Sequence, residues 1–298
     1  MRTKNLTISL VVTQPDKPAG KHLKITPTPV KIFAQKHDLT LFDHESLNKL
    51  PNLLKKKQID LCIAFAYGCM IPHAVLTLPT YGFWNIHPSL LPQYRGPAPI
   101  IYPLILGNRT TGVTLMRMDK GLDTGDIILQ KQVAITEEDT KITLEKKIIP
   151  IATQLITDAI HAGEQNTLSI KKQKEENATY SRLLNRNDGY IASPLITAAL
   201  NGDTAPIKFI PKMMKEYWST YDKDALKQKR PAASIVSQLY KGLYPWPGLW
   251  TKIKKGQNQL RVKLLKLHVA HNALFLDQVQ VEGKRSVHFK TFIQSYNI

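Results

Sequence analysis

The sequence predicts an α/β domain built on a doubly wound, mostly parallel sheet, followed by a small carboxy-terminal β-barrel of OB-like type. Two observations predict the first part. Short β-type runs alternate with helical stretches through the first two-thirds of the chain, and the connections between them are short. A third predicts the second part: the last roughly fifty residues hold four short strand-like runs with turns between them. With 298 residues, 43% of them apolar, the chain can bury one large core or two modest ones.

Taken in order, Ile8 to Thr13 is a β-branched run ended by Gln14-Pro15-Asp16. Thr28-Pro29 opens a helix through Lys36, proline being tolerated in a first turn. Leu47 to Lys57 reads as a second helix. Ile59 to Ala66 is nearly all apolar, the pattern of a strand buried within a parallel sheet. Gly82 to His87 is a strand, Pro99 to Leu106 a helix, Gly112 to Met118 and Ile127 to Ala134 strands, and Thr140 to Ala162 a long helix. From Lys171 the periodicity gives way to a charged, polar stretch, and 185–230 reads as a linker or atypical insert. Ala232 to Lys241 is a helix; Trp250 to Ile253, Leu260 to Val269, Leu274 to Val281 and Val287 to Ile293 are the four strands of the barrel. The expected domains are therefore 1–184, the linker or insert 185–230, and 231–298.

Charge is unevenly spread. Residues 206–298 hold 17 Lys and Arg against 5 Asp and Glu, a net of +12 out of +18 for the whole chain. Such a basic terminal third is the electrostatic footprint of a polyanion binder, nucleic acid before an acidic membrane surface. The two cysteines, Cys62 and Cys69, cannot build a disulfide framework or a four-cysteine zinc site, and their apolar setting predicts buried, inert thiols. No run of eighteen apolar residues exists. The opening MRTKNLTISLVV imitates a signal peptide, but polar residues interrupt it and Gln14-Pro15-Asp16 stands where a cleavage site would be, so a cytoplasmic protein is expected.

Two segments bear chemistry. Along Tyr81 to Ile100, side chains alternate faces, so Phe83, Asn85 and His87 share one face of a strand that Pro88 terminates. Ligands of open parallel sheets bind beyond the carboxyl ends of the strands, which is where the amide and imidazole fall. The second segment, Met118 to Gln130, has two glycines for tight turning and three carboxylates, Asp119, Asp123 and Asp126. A carboxylate beside an imidazole orients the ring and stabilises its charged form. Each segment alone reads more readily as ordinary structure: an Asn that satisfies loop backbone and a His that caps the strand, and a turn rich in Asp and Gly. Together, amide, imidazole and carboxylate suit acyl transfer to an amine that is itself the nucleophile. The sequence has no Gly-x-Ser-x-Gly motif and no His and acidic cluster at metal-ligand spacing, so neither a covalent intermediate nor a metal is expected.

NIHPSLLPQYRGPAPI (Asn85 to Ile100) followed by GLDTGD (Gly121 to Asp126) resembles the folate-dependent formyltransferases. VTQPDKPAG (Val12 to Gly20), TPTPVK (Thr26 to Lys31), AYG (Ala66 to Gly68) and LYPWPGLWT (Leu243 to Thr251) narrow the resemblance to the methionyl-tRNA formyltransferases. It runs from about Val11 to Gly163 and resumes at Thr179 to Arg182 and Ser234 to Thr251. The resemblance implies a Rossmann-like formyltransferase fold and formyl transfer from 10-formyltetrahydrofolate, as a co-substrate, to the amine of initiator methionyl-tRNA. It assigns Asn85 and His87 to the formyl oxygen and Asp123 to holding His87 and moving the amine proton. It assigns the backbone of Ser89, Leu90, Leu91 and Pro92 to the folate, and Lys17, Lys21 and Lys24 to a loop at the acceptor end of the tRNA. The basic carboxy-terminal barrel would grip the tRNA, with no membrane and no obligate protein partner. Lys21 stands where the family favours Arg, which keeps the charge but loses the bidentate fork. By the same resemblance the chain begins near the family's second strand, without the first strand and its Gly-Thr-Pro-x-Phe loop, and 185–230 departs from the family pattern. Formyltransferases for purine precursors or sugar nucleotides and a formylfolate hydrolase share the Asn, His and Asp set but lack the basic terminal third. An RNA-binding relic without catalysis is the reading from another class.

Overall fold

The structure is a computed structural model that describes residues 6–19, 23–43 and 47–296. In chain order its elements are β1 (Val11–Thr13), β2 (Lys17–Ala19), β3 (Lys24–Thr26), α1 (Pro29–Lys36), β4 (Leu41–Asp43), α2 (Leu50–Lys56), β5 (Cys62–Ala64), α3 (His73–Leu76) and β6 (Phe83–His87). There follow α4 (Ile101–Leu106), β7 (Thr110–Arg117), β8 (Ile127–Ala134), α5 (Lys141–Glu164), α6 (Ser193–Leu200), α7 (Lys212–Tyr221) and α8 (Ala232–Leu243). The chain closes with β9 (Leu249–Lys255), β10 (Asn258–Ala270), β11 (Ala273–Val281), β12 (Ser286–His288) and α9 (Phe289–Tyr296).

The expected alternation of strand and helix is present. β1 pairs with β4 in parallel, and β5 with β6 in parallel. The larger sheet has the order β5-β6-β7-β8. Its last two strands run antiparallel, joined at one end by Arg117 N–H to Asp126 O (2.8 Å) and at the other by Ile135 N–H to Arg109 O (2.9 Å). Among the described residues β5 is an edge of this sheet, and Ile63 and Phe65 are 43% and 50% exposed. The buried strand expected from the apolar run at 59–66 is corrected on this point: among the described residues, the face that carries Ile63 is left uncovered.

The residues group into two compact units. The first draws on 1–87, 115–129 and 162–173. Its core is small: Leu50, Leu54, Val75, Leu76 and Phe83, with Val12, Phe42 and Met118 packed against them. Thr28 caps α1 by accepting from Lys31 N–H at 3.1 Å, and Pro29 occupies the first turn, as the sequence suggests. Cys62 and Cys69 are free thiols, and partial burial pushes that of Cys62 up to about 12.

The second unit draws on 88–114, 130–161 and 174–298 and has a much larger core. α4, α6, α7, α8, β9 to β11 and α9 all contribute to it, from Tyr94 to Phe292. α8 crosses α4 so closely that a Cβ on Gly242 would lie 2.6 Å from Ile105 Cγ2. The stretch 185–230, where the sequence pattern dissolves, folds into α6 and α7, and its Ile191, Leu195, Met213, Met214 and Trp218 are buried in that same core. The four carboxy-terminal strands form one antiparallel sheet of order β12-β11-β10-β9. Among the described residues its outer strands do not pair with each other, so the expected small barrel is an open sheet. The strand expected over Val287 to Ile293 is corrected: only Ser286–His288 pairs, and the rest is helix α9. Phe289, Phe292, Ile293 and Tyr296 recur at helical spacing and pack on the core. No helix among the described residues is long and apolar enough to cross a membrane.

Candidate functional site

β6 carries the two polar side chains of the motif at its carboxyl end. Phe83, Trp84, Ile86 and His87 are buried and Asn85 is half-buried. Asn85 Nδ2 donates to Asp123 Oδ1 at 3.4 Å, and His87 Nδ1 lies 3.6 Å from Asp123 Oδ2. The strand thus presents amide and imidazole on one face, and both meet the same carboxylate. A primary amide has two N–H donors, so Asn85 can hold Asp123 with one and offer the other to a ligand.

The loop that delivers Asp123 is tightly specified. Asp123 itself has φ +55°, in the left-handed region that Asp tolerates better than most side chains. Asp119 Oδ1 accepts from Gly121 N–H (2.9 Å) and from the Thr124 hydroxyl (2.7 Å), closing the turn from inside. Gly125 must be glycine, since a Cβ there would sit 1.8 Å from Arg117 O. Asp126 works through its backbone, as the acceptor of the Arg117 N–H bond. The sequence did not single out Gln173. Its Nε2 donates to Asp123 O (2.8 Å) and Gly125 O (2.7 Å), fixing the loop from outside. A lone Gln in a charged stretch gives no signal before folding; only the two carbonyls it bridges identify it.

The segment Ser89 to Pro92 lies in the second unit, directly after the strand end. Thr114, fully buried, organises it: its hydroxyl donates to Ser89 O (2.7 Å) and accepts from Leu91 N–H (3.1 Å) and Gln130 Nε2 (2.8 Å). Gln130 also donates to Leu91 O at 2.8 Å, and the Ser89 hydroxyl donates to Gln93 O. Leu91-Pro92 is a cis peptide. Leu90 covers Gly112, where a Cβ would come within 2.3 Å of its Cδ2. Just beyond, Arg95 N–H donates to Thr179 O (2.9 Å), which ties this segment to the Thr179–Arg182 stretch, where the family resemblance resumes.

Lys17 and Lys24 lie on the antiparallel pair β2 and β3, exposed, with Lys17 opposite Thr26 and Lys24 opposite Ala19. Lys17 Nζ donates to Gln14 Oε1 (2.6 Å), and Gln14 in turn donates to Tyr67 O, within the Ala66-Tyr67-Gly68 motif. Lys21 lies outside the described residues. In the second unit, the β9–β10 register sets Lys252 opposite Arg261 and Lys254 opposite Gln259. Arg261 is met by Glu282 at 3.6 Å and lies over the Trp250 ring, so the exposed Lys252 and Lys254 are what make this face cationic. Among the described residues no three His, Cys, Asp or Glu side chains gather as a metal ion would need.

An α/β sheet ending in a paired amide and imidazole over a loop carboxylate is a candidate site for group transfer. A family described as formyl transferase matches residues 1–160. A methionyl-tRNA formyltransferase from Caldanaerobacter subterraneus is 33% identical over 310 aligned positions, covering 97% of this chain and 89% of its own. The fold is shared with a solved 4-N formyltransferase from Francisella tularensis (TM-score 0.55, 20% identity, 80% of this chain and 84% of that one). It is shared too with HypX from Aquifex aeolicus, solved in complex with tetrahydrofolic acid (TM-score 0.55, 13% identity, 88% of this chain and 43% of that one). The chain belongs to the formyl transferase family, among the methionyl-tRNA formyltransferases, and is an enzyme of that class.

Proposed function

We propose that this enzyme transfers the formyl group of 10-formyltetrahydrofolate to the amino group of methionine on initiator methionyl-tRNA, in the cytoplasm, for the start of translation. The observation that carries the reading is the convergence of Asn85 and His87 on Asp123. In this reading the amine nitrogen attacks the formyl carbon. Asn85, through its second N–H, and His87 donate to the oxygen as it gains negative charge. Asp123 holds His87 and relays the proton that the amine loses toward the departing folate nitrogen. The Ser89–Pro92 segment, its conformation fixed through Thr114 and Gln130, contributes backbone to the folate. Lys17, Lys21 and Lys24 meet the acceptor end of the tRNA, and the basic face of 231–298 its phosphates. Residues 1–184 form the catalytic part, and no resident metal or protein partner is required.

The test is formylation of charged initiator tRNA by the purified chain with 10-formyltetrahydrofolate as donor, in excess chelator. Product that depends on that donor and persists in chelator supports the reading. Formylation of a small nucleotide amine in preference to methionyl-tRNA would replace it with another substrate class, and activity lost to chelator and restored by zinc would replace the mechanism.

A further inference from the structure

We propose that the second unit holds a nucleotide pocket, in which one nucleotide of the bound RNA places its base between aromatic and aliphatic walls and its phosphate between two lysines. The proposal rests on the reading above that this chain binds tRNA, and it locates a contact in the 185–230 stretch, where the family pattern gives no guidance.

A cavity of about 630 Å³ opens between residues 187–192 and 208–220. That volume falls within the range of roughly 300–1,000 Å³ common to sites for small organic ligands. Its apolar wall comes from Tyr190, Phe209 and Met213, and its cations from Lys208, Lys212 and Lys215. Aromatic faces accept any base by stacking, and adjacent lysines accept phosphate, so the combination is that of single-stranded nucleotide recognition.

Charge decides between an anionic and a cationic occupant. The two lining carboxylates are already engaged. Asp188 receives Arg182 through both guanidinium amines, at 2.9 and 2.7 Å, and also accepts from Asn185 N–H at 2.6 Å. Glu216 lies 3.4 Å from both Arg182 Nε and Lys212 Nζ. Lys208 and Lys215, by contrast, meet no carboxylate at ion-pair distance among the described residues. Lys208 Nζ sits 4.9 Å from the Phe209 ring centre, and Lys215 Nζ donates to Lys208 O at 3.0 Å. Two cations without carboxylate partners, beside the Phe209 ring, form a site for a phosphate attached to a flat aromatic group: the phosphate draws the Lys208 ammonium off the ring, and the base takes its place there.

The test compares tRNA binding by the full chain, by Lys208→Glu with Lys215→Glu, and by Lys252→Glu with Lys254→Glu on the β9–β10 face. The pocket variant is expected to bind tRNA about tenfold more weakly. Its slope of log affinity against log salt should also fall by about 0.7–0.9 for each phosphate that the protein no longer neutralises. Affinity for the isolated folate donor, measured on the same preparation, serves as the control for folding. Ultraviolet cross-linking of bound tRNA should leave a nucleotide adduct on Tyr190 or Phe209. A pocket variant that binds tRNA within twofold of the parent, while the face variant weakens, overturns the pocket and leaves the tRNA reading standing. If neither variant weakens, both fall. Free AMP that binds the parent and not the pocket variant, with tRNA affinity unchanged, assigns the cavity to a free nucleotide, and an acidic peptide that does so assigns it to protein; either overturns the proposal.

Discussion

At the scale of the residue, Asp123 is held at its carboxylate by Asn85 and His87 and at its carbonyl by Gln173, and the two kinds of contact should fail differently. In the proposed mechanism Asn85 is one donor to the developing oxyanion, and Asn85→Ala is expected to lower kcat by about 10²–10³. His87→Ala and Asp123→Ala should be at least as severe, and the double and triple variants far from additive, because the three act as one unit. Single-turnover formylation measures this; an Asn85→Ala enzyme within threefold of the parent excludes the assigned role. Gln173 acts by positioning, since both groups it holds are carbonyls of the loop. Gln173→Ala frees the carbonyls of Asp123 and Gly125 and should lower kcat about tenfold with little change in the KM for folate, since small displacements of a reacting group are costly. Gln173→Glu keeps the size but puts a carboxylate against two carbonyls, so it should be no better than Ala. Recovery of kcat by Glu would show that volume, and not donation, is what the loop needs.

At the scale of the element, buried polar groups fix where helices begin. Asp139, 2% exposed, accepts from Thr136 N–H (2.8 Å), from the Thr143 hydroxyl (3.0 Å) and from Lys147 Nζ, and so secures the start of α5. Burial pushes its carboxyl upward, but the hydrogen bonds and the Lys147 charge outweigh that and hold it below the ordinary carboxylate range. A depressed value in the folded state means that its contribution is fully present above the ordinary pKa, about 4, and is lost as pH falls from there through the folded value. Asp139→Asn should therefore lower Tm at pH 7, and that deficit should shrink progressively as pH falls below about 4; a deficit that does not change with pH would exclude an electrostatic role. The same scale shows what the sequence conveys. The strand ending in Asn85 and His87 was legible because period-two alternation puts both on one face and Pro88 ends the ladder. α9 was not, because Val287, Phe289 and Ile293 satisfy strand alternation while Phe289, Phe292 and Tyr296 satisfy helical spacing, and a run this short fits both. The exposure of Ile63 and Phe65 depends on what lies beside β5, which no local pattern reports. Gln173 and Thr114 were invisible because their partners, backbone groups and for Thr114 also the Gln130 amide, are distant in sequence.

At the scale of the whole molecule, the net charge of +18 is concentrated in the carboxy-terminal third. Lys252→Glu with Lys254→Glu should weaken tRNA binding and flatten its salt dependence by about 0.7–0.9 per phosphate left without its cation. Filter binding between low and physiological salt measures it; an unchanged slope would reduce these lysines to a solvated face. Deleting everything from Ala232 onward, the simplest probe of this region, is unsuitable, because α8 and the sheet share one core with α4 and α7. That shared core also dictates an order of events during synthesis. Tyr94, Tyr102 and Ile105 leave the ribosome long before Leu264, Val279 and Phe292, the side chains they must be buried with. The second unit cannot finish folding until α9 has emerged, so the apolar face of α4 stays uncovered through most of translation. A nascent chain halted before Phe289 should be cleaved within 94–106 by a protease that the released full chain resists.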